Sequence, residues 1–262
     1  MSAFVPDVPQ APVDDVLTLT GERTIPGLDV ENYWFRRHEV VYQQLAPRCA
    51  GLEVLEAGCG EGYGADLISR IARRVIALDY DETTVAHVRA RYPRVEVMHG
   101  NLAELPLADA SVDVVVNFQV IEHLWDQTQF VRECARVLRP SGLLMVSTPN
   151  RITFSPGRAT PINPFHTREL NADELTRLLV DAGFTSVSMS GVFHGPRLAE
   201  MDARHGGSII DAQIARAVAD APWPAELLAD VAAVTSADFD VVDADDRDID
   251  DSLDLVAIAV RP

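Results

Sequence analysis

Residues 52–64, LEVLEAGCGEGYG, constrain this chain more than any other stretch. A short apolar run ends on Glu56, and glycines follow at alternate positions: Gly58, Gly60, Gly62 and Gly64. This reads as a buried strand breaking into a loop. Glycine there supplies free φ and the missing Cβ that let a backbone approach a ligand. Downstream, short apolar runs alternate with stretches of helical period. Strands are predicted at 53–56, 74–78, 95–98, 112–118 and 143–147, and helices at 64–72, 82–91 and 127–138. The run VDVVVNF at 112–118 is continuous, as a central strand covered on both faces requires. Two further strands, at 187–193 and 253–260, bring the predicted sheet to seven, and the alternation predicts βαβ units with mostly parallel strands. Asn171 and Glu174 have the spacing of a capping box for the helix that ends near Gly183.

The loop is not the dinucleotide fingerprint G-x-G-x-x-G, whose third glycine would fall at Tyr63. Its pattern is E-x-G-x-G-x-G. Asp79 ends the second predicted strand, VIALD, 21 positions after Gly58; a carboxylate there can accept both hydroxyls of a ribose, or simply close a strand-end turn. Together these residues resemble the first motifs of the Rossmann-like class I S-adenosylmethionine-dependent methyltransferases. The resemblance implies that fold, with a helical insertion before the last strand, and S-adenosylmethionine as methyl donor. It places Glu56, Gly58 and Gly60 at the amino-acid end of the donor and Asp79 at the ribose. Tyr80 would stack on the adenine, Asn101 and Leu102 would border it, and the backbone near Phe118 would pass alongside. Asn101 departs from the usual aspartate, although its side-chain carbonyl still accepts hydrogen bonds.

The chemistry is expected ahead of that loop. Gln119-Val120-Ile121-Glu122-His123-Leu124 follows the fourth strand, and NPFHTREL (163–170) follows a long proline-rich segment after the fifth. The layout resembles the metal-dependent methyltransferases of the terminal 2′-hydroxyl of small RNAs and the ubiquinone-pathway catechol O-methyltransferases. That resemblance implies catalytic metal ligands at Glu122, His123 and His166, with Gln119 in place of a first glutamate; a glutamine carbonyl still suits a hard cation such as Mg²⁺. A sugar hydroxyl is a poor nucleophile near neutral pH, and a divalent cation both lowers its pKa and orients it. The ligand set also suits Zn²⁺, Mn²⁺ or Fe²⁺. Two alternatives stay open: His123 or His166 as a metal-free general base, or both as structural hydrogen-bonders. His194 is a reserve candidate, whereas His87, His99 and His205 have no constellation around them.

Composition narrows the acceptor. The formal charge is −18, and every one of the 22 basic residues is arginine, with no clustered basic stripe, which argues against a nucleic-acid partner. No apolar run reaches about 18 residues, so no membrane span is expected. With no secretory leader pattern and three cysteines at non-metal spacings, a cytoplasmic location is expected. The segment 238–254 carries nine aspartates and reads as a solvated acidic loop. Residues 1–28 are expected to be disordered, and 29–262 to form one domain with an N-terminal cap helix at 29–45 and a helical insertion at 195–233. The stretches GERTIPGLDVENYWFRRHEVVYQ, NFQVIEHLWDQ and STPNRITFSPGRATPINPFHTREL resemble the methyltransferases of mycobacterial methylmannose polysaccharide synthesis. That resemblance implies a small mannoside acceptor, methylated on the 1-hydroxyl at the reducing end of short 3-O-methylated chains, with magnesium. A quinone, catechol or lipid acceptor, and a non-catalytic S-adenosylmethionine-binding protein, are the rival readings; an aromatic content of 6% weighs against an apolar acceptor. Homo-oligomerisation is left open.

Overall fold

Helix α1 (Asn32–Leu45) precedes the alternation that the apolar runs impose. Strand β1 (Glu53–Ala57) leads to α2 (Tyr63–Ser69), β2 (Arg74–Asp79) to α3 (Glu82–Arg91), and then come β3 (Glu96–His99) and β4 (Val112–Phe118). Helix α4 (Gln127–Val137), strand β5 (Leu138–Pro149), the single turn α5 (Arg151–Phe154) and α6 (Ala172–Asp181) follow. The chain ends with β6 (Thr185–His194), α7 (Pro196–Arg204), α8 (Ile209–Ala219), α9 (Ala225–Ala232), β7 (Phe239–Asp243) and β8 (Asp254–Val260). The computed structural model describes residues 23–219 and 221–262.

The sheet order is β3-β2-β1-β4-β5-β8-β6-β7. Pairing is parallel from β3 through β5 and antiparallel at β5–β8, β8–β6 and β6–β7. The sheet therefore has eight strands and is mixed, which corrects the expected seven. The additional strand is β7, inside the segment read as a solvated acidic loop. Phe239 is buried at its start, and antiparallel pairing with β6 binds its backbone while Asp240 and Asp243 sit at the sheet edge. Charged residues on an edge strand also discourage pairing with a further chain. Other aspartates of the segment have local partners: Asp238 closes a capping box with Thr235, and the Asp248 side chain accepts from Asp250 N.

Side-chain alternation sorts the core onto two faces. Val54, Val114, Val116 and Val256 pack on the face covered by α1 and α2, and Leu55, Val115, Leu144 and Leu255 on the face covered by α4 and α6. Local signals set the helix starts. Asp81 and Asp126 cap α3 and α4 through Thr83 N and Gln129 N, and Asn171 and Glu174 form a complete capping box on α6. Cys49, Cys59 and Cys134 are buried free thiols.

The N-terminal disorder expected over 1–28 lies, for residues 1–22, outside the described residues. Residues 23–28 are packed instead: Ile25 is buried, and Arg23 reaches Asp81 Oδ2 at 3.1 Å. Among the described residues no helix is long and apolar enough to cross a membrane.

Helix α1 is held to the sheet by a buried ion pair. Arg37 and Asp254, 2% and 0% exposed, share two bonds of 2.6 Å, and Arg37 Nη2 also donates to Leu253 O at 2.7 Å. Removing one partner strands the other charge away from water. Arg37→Ala is expected to cost about 3–5 kcal/mol of stability in denaturant titrations, whereas a paired Arg37→Met/Asp254→Leu replacement recovers most of it. A loss below about 1 kcal/mol for the single variant would show that the pair does not anchor the helix.

Candidate active site

The donor half is built from the carboxyl ends of β1 and β2. Gly58 N and Cys59 N both donate to Leu78 O, at 2.8 and 3.1 Å, which lays the glycine loop across the end of β2. Gly58 has φ +87°, and a Cβ there would stand 2.5 Å from Val120 Cγ1, so both backbone and space require glycine. Gly60 differs: an added Cβ would meet only Arg23, at 3.9 Å. Its open side is where a ligand can lie against the backbone. Gly60 N donates to Asp79 Oδ2 at 2.9 Å and Asp81 N to Asp79 Oδ1 at 3.0 Å. The carboxylate is thus fixed in direction, with acceptor sites left for hydroxyls. Burial raises the Asp79 pKa, against the lowering effect of those two N–H groups.

Glu56 lies beneath the loop, 1% exposed. Tyr42 on α1 donates to its Oε1 at 2.5 Å, while Oε2 is buried with no hydrogen-bond partner. An orphaned carboxylate oxygen is costly unless something donates to it, and the ammonium of S-adenosylmethionine is such a donor. Burial pushes Glu56 up to about 8, outweighing the Tyr42 bond. Tyr80 presents an exposed ring directly after Asp79. Asn101 is exposed, and its Oδ1 already accepts from Ala103 N at 2.9 Å; Leu102 is buried beside it. Phe118 is buried edge-on to Tyr42, with ring centroids 4.9 Å apart. These residues fit the donor.

A second cluster, where the acceptor is expected, begins where β4 ends. Gln119 has φ +58°, a left-handed conformation that costs a non-glycine residue about 1 kcal/mol or more. Strand β5 holds it there: Gln119 N donates to Ser147 O at 2.7 Å and Nε2 to Ser147 Oγ at 3.0 Å. The turn sets Val120 against Gly58 and carries Glu122 inward, so the two halves meet at that contact. Glu122 is 1% exposed, and Thr148 Oγ1 donates to its Oε2 at 2.9 Å. Its carbonyl accepts from Thr167 N and Arg168 N at 2.8 and 3.2 Å, which draws the long loop onto the turn.

That loop delivers His166. The ligand-capable atoms of Glu122, His123 and His166 all lie within 4.8 Å of one another, and this is the one such group among the described residues. Burial lifts Glu122 to about 7, and the nearby His166 pulls it back. His123 Nδ1 lies 3.0 Å from Phe165 O, an acceptor only, so Nδ1 carries the proton and Nε2 the lone pair. His166 Nδ1 lies 2.7 Å from Glu169 Oε1, and Asn163 Nδ2 donates to Nε2 at 3.1 Å. The Asn163 amide is oriented by Phe165 N on its Oδ1, at 2.9 Å. Nε2 is therefore the basic atom of both imidazoles. On His166 its lone pair is held by the Asn163 amide, which has to turn aside before a cation or a proton takes its place. The carboxylate behind His166 is the arrangement that metal-ligating histidines use. One carboxylate and two Nε2 atoms form a donor set that fits a divalent cation.

Sequence reasoning did not single out Glu169, Thr148 or Asp254, and it weighed Arg37 only as a cap on the donor, where the structure pairs it with Asp254. Glu169 had a signal, since it stands three residues after His166; the others have partners too distant in sequence to read. Tyr33, His194 and Asp202 form a separate chain, with His194 Nε2 2.6 Å from the Tyr33 hydroxyl and Nδ1 2.7 Å from Asp202. His87, His99 and His205 bond Glu61, the Tyr80 carbonyl and Asp230.

A glycine loop on β1, a carboxylate ending β2 and an orphaned acid under the loop have the layout expected of a class I methyltransferase's donor site. The comparisons agree. The family model described as a methyltransferase domain matches residues 55–146. A Mycobacterium tuberculosis (strain H37Rv) protein named "probable S-adenosylmethionine-dependent methyltransferase" is 78% identical over 274 residues, covering 100% of both chains. A Mycolicibacterium smegmatis relative with the same description is 77% identical over 97% of this chain and 99% of its own. A ubiquinone biosynthesis O-methyltransferase of Mesorhizobium japonicum is 32% identical over 60% of this chain and 71% of its own. Among solved structures, a Thermotoga maritima S-adenosylmethionine-dependent methyltransferase superposes with a TM-score of 0.60 at 18% identity over 87% of this chain and 93% of that one, a likeness of fold. The chain belongs to the S-adenosylmethionine-dependent methyltransferases.

Because Glu56 is raised to about 8 from 4.5, the folded protein keeps a proton there that the unfolded chain releases at lower pH. The native state binds more protons across that window, so this group's contribution to stability falls as pH rises from about 4.5 to about 8. Glu56→Gln cannot ionise and is expected to flatten that fall in Tm measured across the window. It is also expected to weaken S-adenosylhomocysteine binding by about tenfold to a hundredfold in calorimetry. An unchanged pH slope would mean that Glu56 is ionised in the folded protein.

Proposed function

We propose that this methyltransferase is a divalent-cation-assisted O-methyltransferase whose acceptor is a sugar hydroxyl: the 1-hydroxyl at the reducing end of short 3-O-methylated mannosides. The observation that carries the reading is the convergence of Glu122, His123 and His166 beside the donor loop. A hydroxyl acceptor needs help to lose its proton, whereas the sulfonium leaving group needs none. The mannoside itself rests on the sequence resemblance of residues 21–43, 117–127 and 147–170, and the mycobacterial origin of the relatives is in keeping with it.

A cation bound by this set supplies Lewis acidity that makes an adjacent hydroxyl easier to ionise. The chain's own residues do the rest. Thr148 and the backbone of 167–168 lock Glu122, and Glu169 and Phe165 O fix both imidazole tautomers. The glycine loop and Asp79 hold the donor so that its methyl group faces the triad rather than water. In the competing metal-free reading, Nε2 of His123 or His166 takes the hydroxyl proton directly. A quinone or catechol acceptor is the second reading, supported by the ubiquinone-pathway relatives.

Glu122→Ala and His166→Ala are expected to lower turnover on 3-O-methylated mannosides by at least about a hundredfold. S-adenosylhomocysteine binding, read by calorimetry, should stay near wild type. Chelator is expected to abolish methyl transfer and Mg²⁺ to restore it. Full activity in chelator would overturn the cation, and methylation of 1-O-blocked mannosides at another hydroxyl would overturn the position.

A further inference from the structure

Beside Glu169, the long loop, the turn α5 and the start of α6 line a cavity of ≈ 300 Å³. Arg151, Arg158 and Arg168 supply guanidinium groups to its wall, and Glu169 and Glu174 supply carboxylates. Arg151 Nη2 lies 3.2 Å from Glu174 Oε2. Glu169 is 3% exposed: its Oε1 is committed to His166, and its Oε2 is buried without a hydrogen-bond partner. Glu169 thus borders both His166 and this cavity, and it carries an unsatisfied acceptor, Oε2, buried beside the lining.

We propose that this cavity is the subsite for a further, non-reacting sugar residue of the acceptor, an inference that rests on the sugar-acceptor reading above. The wall chemistry selects the ligand class. A phosphate or carboxylate would pair with the guanidiniums but face the buried Glu169 carboxylate, which repels it. An apolar ring would leave Glu169 Oε2 and the guanidiniums without partners, and the wall holds no aromatic side chain to stack on it. Sugar hydroxyls satisfy both kinds of group, since each donates one hydrogen bond and accepts others. The guanidiniums donate to the ring and hydroxyl oxygens, and a hydroxyl hydrogen fills Oε2 of Glu169. Because Glu169 orients His166, occupancy of the cavity and alignment of the triad are coupled through one carboxylate.

The test is a ladder of 3-O-methylated mannosides from the monosaccharide to the tetrasaccharide, assayed for methyl transfer and titrated by calorimetry into protein saturated with S-adenosylhomocysteine. KM is expected to fall by about tenfold from the monosaccharide to the longer acceptors, the worth of one or two hydrogen bonds, with kcat little changed. Arg158 is exposed, so Arg158→Ala and Arg158→Gln should fold normally. Each variant is expected to erase most of the gain for longer acceptors and to leave the monosaccharide values alone. If mannosides are methylated with a KM independent of length, or the variants match wild type at every length, the subsite is overturned and the acceptor reading stands. If no mannoside is bound or methylated, both fall.

Discussion

The Arg37–Asp254 ion pair is the interaction on which the rest of the architecture depends. Two charges are removed from water at the seam between α1 and β8, and each is tolerable there only because the other is present. The pair fixes the cap helix along its axis, and that helix serves several sites at once. Tyr42 satisfies one oxygen of Glu56, Tyr33 meets His194 at the end of β6, and Asn32 Nδ2 donates to the carbonyls of Val231 in the last turn of α9 and Val234 just past it. The donor loop, the helical insertion and the antiparallel half of the sheet are thus referenced to one helix.

A second constraint follows from the sheet. Parallel strands covered on both faces leave only their carboxyl ends for a ligand, and the reversal of strand order beside β1 opens the crevice there. The glycine loop and the cluster of Glu122, His123 and His166 share that edge. Their junction is small: the face of Gly58 against Val120, followed by the left-handed turn at Gln119. Beyond it two acids are buried, Glu56 under the glycine loop and Glu122 beside the two histidines, and burial raises both. Such groups are costly to keep in a fold without a ligand to meet them, and perturbed acids in a cleft mark functional sites.

Much of this was legible in the chain. Glycine spacing, the apolar run of β4 and the capping box of Asn171 and Glu174 are local, and local physics decides them. The segment after Asp238 misled because charge density reads as solvation. Its strand is made by pairing with β6, and its last aspartate, Asp254, is buried by an arginine 217 positions away. The expected looseness before Asp29 failed at residues 23–28 for the same reason: Arg23 and Ile25 are ordered by partners in other elements.

The sequence by itself determined the class of fold, the donor loop and the residue types able to hold a cation, because each is written in short-range spacing. Only the tertiary structure decided that His166 meets Glu122, 44 positions earlier in the chain, that Glu169 stands behind it, and that the sheet gains an eighth strand. Convergence of that kind depends on where a long loop is pulled by backbone hydrogen bonds, here Thr167 and Arg168 onto the carbonyl of Glu122. A linear pattern carries no record of such a bond, since a backbone amide looks the same at every residue.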